Sequence, residues 1–176
     1  RLKSAAALLG ISENTLRTTL TESGIEVRRA NQENPNAPAV RLFDIQTIFA
    51  IAAYRRAKKL TKGPEGKKPV VIAVEIIKGG TGKTTTTCEV AVQLQLQGLK
   101  VMVIDIDIQA NLTQLMGYES DLSSDDADNF GLTQDAIVNG TFATICSQIM
   151  DRKARPVDAG TVIKYPFGPF GPALIP

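Results

Sequence analysis

The residues best able to do chemistry lie in one run, Lys78-Gly79-Gly80-Thr81-Gly82-Lys83-Thr84-Thr85. Three glycines within four positions let a backbone curl until successive N–H groups converge on one anion. A lysine at the end of such a loop would neutralise the β- and γ-phosphates of a nucleotide. The threonine after it would offer its hydroxyl to Mg²⁺. The run therefore predicts a phosphate-binding loop for a nucleoside triphosphate with magnesium. Gly79, Gly80, Thr81, Gly82, Lys83, Thr84 and Thr85 are the expected nucleotide contacts. The usual pattern opens with glycine five residues before Gly82; Ile77 stands there, and an additional lysine, Lys78, precedes the paired glycines.

Such a loop works only between a strand and a helix. Val70-Val71-Ile72-Ala73-Val74 is a β-branched run of the length of a buried parallel strand. Lys83 to Leu96 reads as a helix stopped by Gly98, and Val101-Met102-Val103-Ile104-Asp105 as a second buried strand. Strand, helix and strand with short joins make a βαβ unit and hence a parallel sheet. Thr61 to Pro69 holds two Gly, two Pro and three Lys and reads as a linker. The expected organisation is a helical segment over 1–60, a linker over 61–69, and an α/β segment over 70–176. Glu119 to Asp128 reads as a solvated acidic loop, since it lacks the spacing of a calcium-binding loop. Leu132 to Met150 is a helix candidate. Residues 161–176 carry four Pro and two Gly without a recognisable stop, and the chain opens on Arg1 rather than Met. Both features predict a piece of a longer protein.

The loop resembles that of the ParA/MinD-type deviant-Walker ATPases, which reads Lys-Gly-Gly-x-Gly-Lys-Thr-Thr. The likeness continues through Asp105-Ile106-Asp107-Ile108-Gln109-Ala110-Asn111-Leu112-Thr113, similar to the family's Asp-x-Asp-Pro-Gln-x-Asn-x-Thr segment. It covers residues 70–117 well and the rest loosely. The resemblance implies an α/β P-loop NTPase with part of its parallel sheet, ATP and Mg²⁺ as ligands, and a nucleotide-sandwich homodimer. In that scheme Lys78 reaches the partner subunit's ATP. Asp107 positions the attacking water and the magnesium shell, and Asp105 is an outer partner at the same strand end. Lys78, Lys83 and Asp107 are thus the expected catalytic residues, with Thr84 and Asp107 at the metal. Two positions depart from the family: Glu75 stands where Asn is common, and Ile108 where Pro is. A Glu75 buried near phosphates would bear on turnover more than on binding. The distal Walker B aspartate is expected past Pro176.

The N-terminal segment differs in charge. Residues 1–69 carry 13 Lys and Arg against 6 Asp and Glu, a net +7; residues 70–176 carry 7 against 12, a net −5. A basic segment beside an acidic one predicts that the first meets a polyanion. Lys3 to Leu9 and Glu13 to Glu22 read as two helices joined by Gly10-Ile11-Ser12, with Ser12 as N-cap. This is the layout of a helix-turn-helix whose second helix presents Glu13, Asn14, Thr15, Arg17 and Thr18 to a major groove. Arg28, Arg29 and Arg41 follow as a small wing able to touch phosphates. Phe43 to Ile48 then opens a helix ending in Tyr54-Arg55-Arg56. The segment resembles a MerR-like winged helix-turn-helix. Asn14, Thr15, Arg17, Thr18, Arg28 and Arg29 are the expected DNA contacts.

The remaining composition excludes more than it proposes. Two cysteines, Cys88 and Cys146, do not make a disulfide framework or zinc site, and histidine is absent. No run of eighteen apolar residues predicts a membrane span. The resemblance implies a cytoplasmic, nucleoid-associated bacterial ATPase of plasmid or chromosome partition, with DNA and a ParB-like centromere-binding protein as partners. The N-terminal module implies repression of its own operon. Two alternatives stand beside it: a transcriptional regulator that uses nucleotide only as a switch, and a MinD-like positioning ATPase.

Overall fold

The computed structural model describes residues 1–33, 36, 38–61, 68–76, 78–119, 122, 124–129, 131–151 and 158–176. Ile77 and most of the expected linker lie outside these residues. The chain divides into two compact units. One holds residues 1–70, 92–100 and 167–171; the other holds 71–91, 101–166 and 172–176. Residues 92–100 and 167–171 thus group with the N-terminal segment, a grouping that a division at the linker does not contain.

The first unit is helical: α1 (Leu2–Leu8), α2 (Glu13–Ser23), α3 (Ala30–Glu33) and α4 (Ile45–Ala57). Helix α1 stops where Gly10 takes φ +62°, a conformation costly for a side chain with Cβ. There the Gly10 N–H donates to the Ala7 carbonyl and the Ile11 N–H to that of Ala6, capping the helix end. Two residues on, Ser12 accepts from the Thr15 N–H at 3.1 Å and starts α2. Asp44 does the same for α4, accepting from the Thr47 N–H at 2.7 Å. That bond, with a further contribution from the Arg28 charge, holds the Asp44 carboxyl below its ordinary pKa. Helix α2 packs against both α1 and α4. Ala5, Ala6, Leu16, Phe49, Ile51 and Ala52 are buried there together, and Leu96 joins them. The Phe167 ring lies 5.7 Å from that of Phe49.

The second unit combines helices with a small parallel sheet, a mixed α/β arrangement that fits the expected class. Helix α5 (Lys83–Leu96) has the expected bounds, and its first part belongs to this unit. Strand β1 (Met102–Ile104) pairs in parallel with β2 (Ala173–Ile175), Met102 opposite Ala173 and Ile104 opposite Ile175. Between them lie α6 (Asn111–Leu115), α7 (Ser124–Asn129) and α8 (Phe142–Met150). Val103 and Leu174 pack with Ala91, Leu112 and Met116 in the core of this unit.

Four sequence expectations need correction. The run 70–74 forms no strand and pairs with none among the described residues, and Val71 is 93% exposed. A β-branched run becomes a strand only where a neighbour takes its N–H and C=O groups and a layer covers its face. The second expected strand is shorter than foreseen and covered on one face only, with Val103 buried and Met102 and Ile104 exposed. The acidic loop 119–128 contains most of α7. The helix expected over 132–150 breaks into a 3₁₀ turn at Gln134–Ala136 and α8. The Thr141–Thr144 capping box sets a new helix start, and the Glu119–Ile137 bridge draws the earlier part aside.

Candidate functional site

The loop that leads into α5 has the backbone that its glycines permit. Gly80 takes φ +71° and Gly82 +80°, and open space surrounds the position where a Cβ at Gly79 or Gly80 would stand. The Thr81 hydroxyl donates to the Lys78 carbonyl at 3.1 Å, tying the turn across its mouth. The first helical hydrogen bond runs from the Thr86 N–H to the Gly82 carbonyl at 2.8 Å. The N–H groups of Lys83, Thr84 and Thr85 precede it, pointing along the positive end of α5. Lys83 and Thr84 are half-buried, whereas Lys78, Gly79, Gly80, Thr81, Gly82 and Thr85 are exposed. Glycines in left-handed backbone, N–H groups without an intrahelical partner and a lysine at a helix start suit a polyphosphate and its magnesium.

One turn further along α5, the Thr87 hydroxyl donates to the Lys83 carbonyl at 2.9 Å. Cys88 is half-buried beside the core of this unit. Burial, reinforced by the Glu89 charge, pushes its thiol pKa up, so it packs as a small apolar group.

Asp105 and Asp107 follow β1. Asp105 is only 9% exposed and its carboxylate is fully engaged. Oδ2 accepts from the Thr113 N–H at 2.9 Å and from the Thr113 hydroxyl at 2.8 Å. Oδ1 accepts from the Asp107 N–H at 3.2 Å. The Asp107 side chain is exposed and accepts from the Gln109 N–H at 3.1 Å. Among the described residues no hydrogen bond joins Asp107 to residues 78–85, the other part of the expected site. Thr113 received no role from the sequence; only its place at the end of the Asp-x-Asp segment marks it. Glu75 is exposed, and Ile108 is fully so. The charge expected to crowd the phosphates is therefore not buried in this structure.

In the first unit, Glu13, Asn14, Arg17 and Thr18 are exposed on α2, and Leu16, Thr19 and Leu20 form its buried face. The hydroxyl of Thr15, also exposed, is 2.8 Å from that of Ser12, and the Thr18 hydroxyl donates to the Asn14 carbonyl at 3.1 Å. Arg17 and Asn14 thus have the freer reach on this face. Arg29 and Arg41 face each other in an antiparallel bridge, flanked by hydrogen bonds from Ala30 to Val40 and from Leu42 to Arg28. Arg28 and Arg29 are exposed beside this bridge. A groove lined by Leu20, Thr21, Ile25, Val27, Arg29 and Arg41 runs alongside.

Among the described residues no helix is long and apolar enough to cross a membrane, and no cluster of His, Cys, Asp and Glu is built to hold a metal alone. A magnesium ion at this loop would draw most of its ligands from phosphate and water, so the second observation leaves that site intact.

A family model described as an AAA domain matches residues 69–154. A protein of Rhizobium rhizogenes named as a replication protein A is 35% identical over 123 residues, covering 65% of this chain and 29% of its own length. Protein IncC of Escherichia coli is 42% identical over 103 residues, covering 56% of this chain and 28% of its own. A ParA family protein of Chlamydia trachomatis is 47% identical over 51 residues, covering 28% of this chain and 20% of its own. The chain spans less than a third of the length of each of these relatives. No solved structure matches. With its Lys-Gly-Gly-Thr-Gly-Lys-Thr-Thr loop opening α5 and its Asp105–Thr113 segment following β1, the chain is similar over residues 69–154 to the ParA/MinD-type P-loop proteins.

Proposed function

We propose that this chain is part of an ATP-dependent DNA-partition ATPase whose N-terminal unit also binds DNA. The observation that carries the reading is the glycine turn with lysines at both ends, Lys78 and Lys83, set at the start of α5. Lys83 and the free N–H groups bind the β- and γ-phosphates of ATP, and the Thr84 hydroxyl holds Mg²⁺, with Gly79, Gly80, Gly82 and Thr85 lining the bed. Magnesium, when bound, offsets the charge that develops on the transferring phosphoryl group. Lys78 is exposed, free to reach a second subunit's nucleotide, and supplies positive charge there in trans. Asp107 orients the attacking water. ATP binding thereby favours a homodimer, and a ParB-like partner stimulates turnover.

The reading of the N-terminal unit as a winged helix-turn-helix rests on the turn at Gly10–Ser12 and the exposed face of α2. Asn14 and Arg17, with Thr15 and Thr18 beside them, face a major groove. Arg28, Arg29 and Arg41 bind phosphates, so DNA affinity falls steeply with salt. On this reading the protein works on the nucleoid.

ATP turnover by the full-length protein, with DNA and its centromere-binding partner present, tests the proposal. Turnover abolished by Lys83→Ala through lost binding, and by Lys78→Ala with binding kept, is the expected result. No turnover under any of these conditions would overturn it in favour of a nucleotide-switched regulator.

A further inference from the structure

A carboxylate and a hydroxyl are buried together where an apolar pair would have packed without hydrogen bonds. Thr113 is fully buried in α6 and Asp105 nearly so, and the carboxylate receives three donors. Burying such a charge is unfavourable unless its lone pairs are matched, and here two donors come from Thr113 and one from the Asp107 N–H. The pair closes a short loop whose crown is exposed, with Ile106 76% and Ile108 fully accessible. Ala110, within that crown, holds φ +49°, a backbone conformation that residues other than glycine seldom adopt. The surroundings therefore determine this loop's shape from its two buried ends. Asp107, the exposed carboxylate it carries, has its own backbone N–H fixed by Asp105.

We infer that Asp105 and Thr113 form a latch that positions Asp107 for the chemical step, acting through the Asp107 N–H rather than on nucleotide. This rests on the reading of Asp107 as the water-orienting residue. A side chain displaced by about 1 Å from its reacting partner loses up to roughly 100-fold in rate while binding is untouched.

The test is steady-state ATP turnover and separately measured ATP affinity in the full-length protein with DNA and partner. Thr113→Val removes the hydroxyl at constant volume, and kcat is expected to fall about 10- to 100-fold with ATP affinity unchanged. Thr113→Ser, which keeps the hydroxyl, is expected to restore most of the rate. Adding Thr113→Val to Asp107→Ala is expected to cause no further loss, since both act through one group. Three results would overturn the latch alone: an unaffected Thr113→Val, no rescue by Thr113→Ser, or losses that multiply in the double variant. A wild-type protein without turnover would instead remove the ATPase reading, and the latch with it.

Discussion

The two units bury their apolar residues very differently. In the N-terminal unit Leu16, Phe49 and Ile51 have no accessible surface, and α1, α2 and α4 complete one another. In the second, Val71, Ile72, Met102, Ile104 and Ile108 lie open, and the core is a smaller cluster around Val103 and Leu174. Helices satisfy their backbone internally and need only one covered stripe. A parallel strand needs neighbours on its edges and layers on both faces. The same chain therefore contains a region whose local signals suffice and a region whose signals presuppose more sheet.

The sharpest way to break this comparison is at Phe49. Phe49→Ala should destabilise the N-terminal unit by about 3–5 kcal/mol in urea unfolding and leave ATP binding measured at low denaturant unchanged. An equal loss of ATP binding would show that the regions are not separable. Next, Lys83→Ala should weaken ATP binding by about 2–5 kcal/mol in calorimetry while the unfolding midpoint of the N-terminal helices stays put.

The helix caps give a smaller effect. Asp44→Ala should cost about 1 kcal/mol of N-terminal stability. Because its folded-state pKa is depressed, the contribution of Asp44 is present above its ordinary value of 3.8 and is lost as pH falls through the lower folded value. Acid titration of helicity by circular dichroism should therefore separate wild type from Asp44→Ala above that window and merge them below it. Smallest is Val71→Thr, expected within about 0.5 kcal/mol in this chain because the side chain is exposed. A larger loss in the full-length protein would show that the run 70–74 is covered there.

Legibility followed the same division. The turn at Gly10, the Ser12 cap and the bounds of α5 could be read directly, because each depends on residues within a few positions. The glycine loop was legible for the same reason, and its Lys-Gly-Gly opening carried the resemblance. Strand β2 was not foreseen: Ala173-Leu174-Ile175 is three residues between prolines, and only pairing with β1 makes it a strand. The expected strand at 70–74 failed for the converse reason, having the right residues and no described neighbour. Thr113 was read as the end of the Asp-x-Asp segment but given no role, because a threonine's burial has no local signature; its partner Asp105 lies eight positions earlier.

The β1–β2 register also bears on the order in which the molecule assembles. Met102 meets Ala173 about seventy residues later, whereas α1 meets α2 across the four residues Leu9 to Ser12. Closing the longer loop costs more chain entropy before any contact repays it, and folding slows as contacts become more distant in sequence. During synthesis the helix pair should form while the ribosome is still adding the second unit. The parallel pair must wait for the last residues described here, leaving β1 exposed to wrong partners in the interval.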